Sequence, residues 1–275
     1  GMVCHESYKD QKGEWLYPNE VERISSNNVI NKIDKSKVIV GPPESMSKSK
    51  KNTIDPETMI NEYGADSVRW FMLSDSPPEK DVQWSDAGVV SANKFLQKIW
   101  NLNKLTIERK EDSIEKKAEE QFILRINDFI NKIDNAINNF RFNVSVAHVY
   151  ELYNFFRISL ESKISNRVLK EKLIVFMKVM IPFTPHLAYE CLELLKCEKN
   201  IEWPSIDKEN VIDEIKLAVQ VNGKTRDIIT IKRDIVENDI KKFIQNKSKA
   251  NKFIEGKKVT KTIFVKNKII NYIIK

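Results

Sequence analysis

The stretch FILRINDFINKIDNAINNF, at residues 122–140, decides the fold class. Its apolar side chains recur every three or four residues, which is the spacing of one face of an α-helix. The positions in this stripe are Phe122, Ile126, Phe129, Ile130, Ile133, Ile137 and Phe140. Such a stripe packs against other helices far more often than it binds a ligand. We therefore interpret it as the core face of a helical bundle.

Helical spacing continues on both sides of this stretch. Together with it, the pattern predicts long helices over residues 86–105, 119–140, 143–161, 166–181 and 185–195. Pro182 ends the fourth of these helices, and Thr184-Pro185 begins the last one. Consecutive helices with short connections pack as antiparallel neighbours, so these segments predict an antiparallel helical bundle.

The residues beyond the bundle change character. Strand-like segments occupy 215–221, 227–231, 259–265 and 269–274, and a helical segment occupies 237–254. Asn222-Gly223 separates the first two strands, and this pair is typical of a two-residue hairpin turn. The pattern predicts a small α/β domain, joined to the bundle by the polar linker 203–210.

The residues before the bundle carry weaker signals. Up to Pro43 the chain is polar, and Val38-Ile39-Val40 is its clearest strand-like run. Asp55-Pro56 is a helix start, because aspartate caps a helix and proline fits its first turn. Gly64 closes that short helix, and a second one begins near Asp66. We expect a mainly α chain with an α/β domain after the bundle.

The composition excludes several classes of protein. Of 275 residues, 41% are apolar, which is enough to bury a sizeable core. No apolar run approaches the ~18 residues of a membrane span, and no secretory signal is visible at the N-terminus. The seven glycines form neither GxGxxG nor GxxxxGK[ST]. The three cysteines, with no CxxC, argue against disulfides or a zinc site and fit a reducing cytoplasm.

The positive charge is concentrated near the end of the chain. From Val211 to Lys275, 14 lysines and 2 arginines stand against 7 acidic residues. Residues 211–275 therefore have a net charge of +9. The other residues together have a net charge of −2, which gives +7 for the whole chain. A confined basic region is the expected footprint of nucleic-acid binding. A lysine-rich solvated surface would carry the same charge, so charge alone leaves both interpretations open.

The loop from Ser45 to Asn52 is the best candidate for chemistry. Serines alternate with lysines there, and lysine ammonium groups can offset the charge of a nucleotide's phosphates. Without context, such a loop is more often a solvated turn. The three histidines are not paired at metal-ligand spacing, and His186 at a helix start is expected to be structural. No pair of carboxylates stands out as a general acid and base.

Context changes the interpretation of this loop. Met46-Ser47-Lys48-Ser49 resembles the KMSKS signature of class I aminoacyl-tRNA synthetases, a mobile loop that contacts ATP during amino-acid activation. The resemblance continues through NTIDP (52–56), YGADSVRWF (63–71), DSPPEKDVQWS (75–85) and ANKFLQKIWNL (92–102). The last two segments are similar specifically to bacterial-type leucyl-tRNA synthetases. PFTPH (182–186) and VQVNGKTR (219–226) agree with that family.

The resemblance implies three regions of the C-terminal third of such an enzyme. Residues 1–79 would end the class I catalytic domain, 80–210 would form an anticodon-binding-type helical domain, and 211–275 would be a small α/β tRNA-binding domain. The family joins leucine to tRNA(Leu) using ATP with Mg²⁺, in the cytoplasm.

The resemblance also assigns roles to individual residues. It implies that Lys48 is catalytic and contacts the phosphates of ATP, while Met46, Ser47 and Ser49 shape the ATP loop. Lys224 and Arg226, beside the hairpin turn, would contact tRNA phosphates. The alternative for these two residues is that they only solubilise the hairpin. No metal ligand is expected in this chain.

Two departures from the family pattern matter. Ser45 replaces the first lysine of the signature, and Lys50 and Lys51 are the candidates to substitute for it. No HIGH-like motif is present, and the leucine pocket and editing domain of the family have no counterpart here. We therefore expect no leucine activation by this chain alone. The alternative function is a non-catalytic tRNA-binding module.

Overall fold

A computed structural model describes residues 1–25, 28–110, 113–197, 202–204, 214–232 and 235–274. The chain divides into two compact units, residues 1–211 (unit 1) and 212–275 (unit 2). Most of the predicted linker, at 205–210, lies outside the described residues. No helix in the described ranges is long and apolar enough to cross a membrane.

Unit 1 begins with short strands. These are β1 (Val3–His5), β2 (Tyr8–Lys9), β3 (Trp15–Leu16), β4 (Val21–Ser25), β5 (Asn28–Asn31), β6 (Ile39–Val40), β7 (Glu44–Ser45) and, further along, β8 (Val82–Gln83). β1 pairs antiparallel with β7 and parallel with β8. β2 lies between β3 and β6, and β4 pairs with β5. Sequence patterns predicted little of this region, because strands of two to five residues are too short to show alternation.

The two short helices confirm the predicted start and stop signals. α1 (Pro56–Tyr63) begins after Asp55, whose carboxylate accepts hydrogen bonds from the backbone N–H groups of Glu57 and Thr58 at 3.1 and 3.4 Å. Gly64 ends this helix with φ of 82°, and α2 (Ala65–Asp75) follows directly. Glycine adopts this positive φ without the steric cost of a Cβ atom.

Five longer helices follow α2 in the described part of unit 1. They are α3 (Asp86–Glu108), α4 (Lys116–Asn138), α5 (Phe142–Ser159), α6 (Asn166–Met180) and α7 (Pro185–Leu194). Together with α2 they share one apolar core, whose fully buried side chains include Trp70, Ile99, Phe122, Ile133, Phe156 and Phe176. The predicted helical spacing is therefore confirmed for all five helices.

Phe140 corrects one detail of the predicted stripe. α4 ends at Asn138, and Phe140 has φ of 54° and is 69% exposed. The chain turns from α4 into α5 at this residue, so its ring lies outside the core that Phe122 and Ile133 occupy. Spacing alone predicts a core position here, because it does not show where a helix ends.

Unit 2 contains one sheet and one α-helix in its described residues. The elements are β9 (Glu214–Val221), β10 (Lys224–Lys232), α8 (Glu237–Lys247), β11 (Val259–Val265) and β12 (Ile269–Ile274). The strand order is β10-β9-β12-β11, with β9 and β12 parallel and the other pairs antiparallel. The core of this unit includes Leu217, Val219, Ile240, Ile244 and Ile270. The predicted helix over 237–254 is too long, because Ser248 is extended and only a 3₁₀ turn, Asn251–Phe253, follows.

Candidate functional site

The predicted ATP loop leaves a short sheet and returns to it. The sheet pairs Ser45 with Cys4, and the N–H of Met46 donates to the carbonyl of Val3 at 3.0 Å. Lys48–Lys50 then forms one 3₁₀ turn. Lys51 ends this turn with φ of 51°. The segment that carries Lys48 is therefore a short, tight loop that follows β7.

The side chain of Asn52 holds the two ends of this loop together. Asn52 is fully buried, and its Oδ1 accepts a hydrogen bond from the N–H of Ser47 at 2.8 Å. Its Nδ2 lies 3.2 Å from the carbonyl oxygen of His5 and 3.3 Å from that of Glu44. One amide group thus joins β1, β7 and the loop. Sequence reasoning included Asn52 in the matching segment but did not assign it a role.

The cations of the loop have different surroundings. Lys50 forms an ion pair with Glu44, and this hydrogen bond holds the pKa of the Glu44 carboxyl below its usual value. The Nζ of Lys51 lies 5.2 Å from the centre of the Tyr17 ring. Lys48 is exposed, and within the described part of the chain its ammonium group makes neither a hydrogen bond nor an ion pair. Lys48 is therefore the loop cation best placed to meet a ligand.

An open cleft of about 880 Å³ lies beside Lys48. Its lining includes Tyr17, Lys32, Asp55 and Asp86. Lys32 donates a hydrogen bond to the carbonyl of Asn19 at 2.9 Å.

Among the residues that the structure describes, no group of three or more His, Cys, Asp or Glu side chains could hold a metal ion.

Two motifs far apart in the sequence meet in unit 1. Asp66, from YGADSVRWF, lies 2.9 Å from Nδ1 of His186 and accepts a hydrogen bond from the N–H of Leu187 at 2.8 Å. Arg69, from the same motif, donates to the carbonyls of Pro182 and Phe183 at 2.6 and 3.1 Å. A carboxylate at a helix N-terminus is favourable because the helix dipole is positive there. These contacts fit the structural role expected for His186.

The hairpin of unit 2 presents the two predicted tRNA contacts. Asn222 and Gly223 have φ of 49° and 78°, as a two-residue hairpin turn of the predicted kind requires. Lys224 and Arg226 are both exposed on β10. A bulge between Thr225 and Asp227 places Arg226 outside the ladder, with its guanidinium 4.4 Å from the centre of the Phe253 ring.

Two family models match different parts of the chain. The model described as "Anticodon-binding domain of tRNA ligase" matches residues 119–242. The model described as "tRNA synthetases class I (I, L, M and V)" matches residues 37–85. The second match contains the Lys48 loop and both motif residues of α2, Asp66 and Arg69.

Similarity to individual proteins decides the family. The chain is 36% identical to the leucine–tRNA ligase of Zymomonas mobilis over 99% of its own length. It is 41% identical to that of Parvibaculum lavamentivorans over all of it. The chain belongs to the leucine–tRNA ligase family. It corresponds to the C-terminal part of these ligases and spans about a third of their length, 32% and 33% in these two cases.

The fold agrees with this family assignment. A crystal structure of a LeuRS–tRNA–LeuAMS ternary complex from Agrobacterium radiobacter matches 84% of this chain and 31% of that chain. The TM-score is 0.66 and the sequence identity is 24%, so this likeness concerns the fold. The family assignment leaves the roles of Lys48, Lys224 and Arg226 as predictions.

Proposed function

We propose that this chain is the C-terminal part of a leucine–tRNA ligase, which converts ATP, leucine and tRNA(Leu) into leucyl-tRNA, AMP and pyrophosphate. One observation carries the proposal: leucine–tRNA ligases match the chain along 99–100% of its length at 36–41% identity. The chain would contribute an ATP-contacting loop and the tRNA-binding surfaces. We place the enzyme in the cytoplasm, where protein synthesis takes place.

In this proposal, Lys48 acts on the phosphates of ATP. When the leucine carboxylate attacks the α-phosphorus, the bond to pyrophosphate breaks and negative charge builds up on the leaving group. An exposed ammonium group that is not neutralised by a carboxylate can stabilise that charge. Met46, Ser47 and Ser49 shape the loop, and the hydroxyl groups of the two serines lie 2.7 Å apart. Mg²⁺ would arrive bound to ATP.

The helices of unit 1 would serve tRNA rather than ATP. We propose that α3 to α7 form the antiparallel bundle of an anticodon-binding-type domain, which packs along the tRNA. The match of residues 119–242 to the anticodon-binding family model supports this role. Unit 2 would contact the tRNA backbone through its basic residues, Lys224 and Arg226 among them, because phosphate contacts dominate the affinity for RNA.

An exchange assay tests the catalytic part of the proposal. A hybrid ligase is made by replacing the matching region of the Zymomonas mobilis ligase with this chain. We expect leucine-dependent exchange of pyrophosphate into ATP by the hybrid and none by residues 1–275 alone. Pyrophosphate exchange by the isolated chain would contradict the expectation that leucine activation requires the rest of the ligase. An inactive hybrid would remove the catalytic role and leave a non-catalytic tRNA-binding module.

Titration of the chain with tRNA tests the second part. Binding of tRNA(Leu) and of a non-cognate tRNA is measured from 50 to 200 mM salt. We expect tighter binding of tRNA(Leu), with an affinity that falls steeply as salt rises, because each phosphate contact releases a counterion. Equal, weak binding of both tRNAs would show that the basic surface is generic and that recognition requires other parts of the ligase.

A further inference from the structure

Asn52 fixes both ends of the loop that carries Lys48. Its Oδ1 accepts from the N–H of Ser47, at the start of the 3₁₀ turn, while its own backbone follows the end of that turn. Its Nδ2 faces the carbonyl oxygens of His5, Glu44 and Ser45 at 3.2, 3.3 and 3.5 Å. The loop is thereby tied to the neighbouring strands β1 and β7.

The hydrogen bonds of Asn52 are made by a buried amide group. Asn52 has no exposed surface, so removing its side chain takes a buried hydrogen-bond partner from the Ser47 N–H and from the facing carbonyl groups. Unpaired buried polar groups are costly, whereas exposed pairs contribute little. Three other side-chain contacts of the loop, the Ser47–Ser49 hydroxyl pair, the Lys50–Glu44 ion pair and the contact of Lys51 with the Tyr17 ring, are solvent-accessible. Asn52 is therefore the main anchor of the loop.

We propose that Asn52 is a positioning residue for adenylate formation, which sets the place of Lys48 without itself touching ATP. The proposal rests on the proposed role of Lys48 toward ATP. A displacement of about 1 Å in a group that acts on the transition state can lower a rate by about 10²-fold. An anchor built into the sheet is suited to prevent such a displacement, because strands β1 and β7 are joined by backbone hydrogen bonds.

The first test uses residues 1–275 themselves. Asn52→Ala is compared with Asn103→Ala, which removes another fully buried amide, bonded within α3 and to Met177. Amide exchange in the 44–52 segment and trypsin cleavage after Lys48 and Lys50 report on the loop. We expect both to rise at least tenfold in Asn52→Ala and to stay unchanged in folded Asn103→Ala. An equal rise in both variants would overturn the proposal.

The second test measures catalysis in the hybrid ligase. We expect Asn52→Ala to lower kcat for pyrophosphate exchange between tenfold and a hundredfold and to leave the KM for leucine unchanged. Asn103→Ala should keep kcat while lowering the melting temperature. If Lys48→Ala lowers exchange and Asn52→Ala does not, the positioning role is wrong. If neither variant changes exchange, the proposed role of Lys48 is wrong as well.

Discussion

Two basic segments, the loop 46–52 and the hairpin 221–226, are held in place by different means. The loop depends on one buried side chain, Asn52, which contacts the carbonyl of His5, 47 residues earlier in the chain. The hairpin takes its shape from local backbone geometry, since Asn222 and Gly223 both adopt positive φ, and exposed hydrogen bonds between the Asn222 side chain and the backbone of Ile274 also tie it to β12. A local turn can be recognised in a sequence, whereas a buried long-range anchor is found only in the structure. Four predictions, each based on one or two substitutions, test and extend this comparison.

The largest effect should come from Lys48→Ala in the hybrid ligase. Removing one preorganised group that stabilises transition-state charge typically costs about 10²–10³-fold in rate. The matched control is Lys50→Ala in the same loop, because Lys50 is paired with Glu44. We expect Lys50→Ala to lower the pyrophosphate exchange rate by less than about tenfold. Equal losses in the pyrophosphate exchange rate would mean that both lysines act on ATP.

Gly223→Ala should destabilise unit 2, because alanine is strained in the backbone conformation of Gly223. A Cβ atom at Gly223 meets no other atom within 4 Å, so strain at φ of 78° is the whole penalty. We expect unit 2 to lose about 1 kcal/mol of stability, measured by urea unfolding with hydrogen exchange resolved by unit. Gly13→Ala, at φ of 86° with equally open surroundings, should weaken unit 1 instead. A loss confined to the same unit in both variants would contradict this explanation.

A smaller effect is expected for Arg226→Ala in tRNA binding. Loss of one phosphate contact lowers the slope of log affinity against log salt by about 1. Over the range from 50 to 200 mM this corresponds to roughly a three- to fourfold change. The same result is expected for Lys224→Ala. Unchanged slopes in filter-binding titrations would favour the alternative that both residues only solubilise the hairpin.

The smallest effect concerns Asp227, next to the bulge that holds Arg226. The hydroxyl of Ser248 donates to its carboxylate at 2.6 Å, and the N–H of Lys249 donates at 2.8 Å, which lowers the pKa of Asp227. Because the pKa is lowered in the folded state, this stabilisation is present at neutral pH. It is lost as pH falls through the folded-state pKa. The stability difference between wild type and Asp227→Asn should therefore be largest at pH 7 and shrink in acid. A difference that is constant with pH would contradict this.

The sequence predicted the parts of the fold that follow from local rules. Periodic apolar residues located the long helices, and Asp55 and Gly64 marked the ends of α1. The strands before Asn52 were missed, because they are too short to carry a pattern and are held by pairing between distant segments. For the same reason, nothing local predicted that Asp66 would cap the helix that begins at Pro185. Long-range contacts have no signature in a single sequence.

The strand order of unit 2 has a consequence for synthesis on the ribosome. β12 lies inside the sheet, between β9 and β11, although it is the last of the four strands to be made. After Lys232 is added, 42 more residues must follow before Ile274 completes β12. At about 5–20 residues per second this takes roughly 2–8 s. During that time one edge of β9 is unpaired, so newly made unit 2 is exposed to strand pairing with other chains.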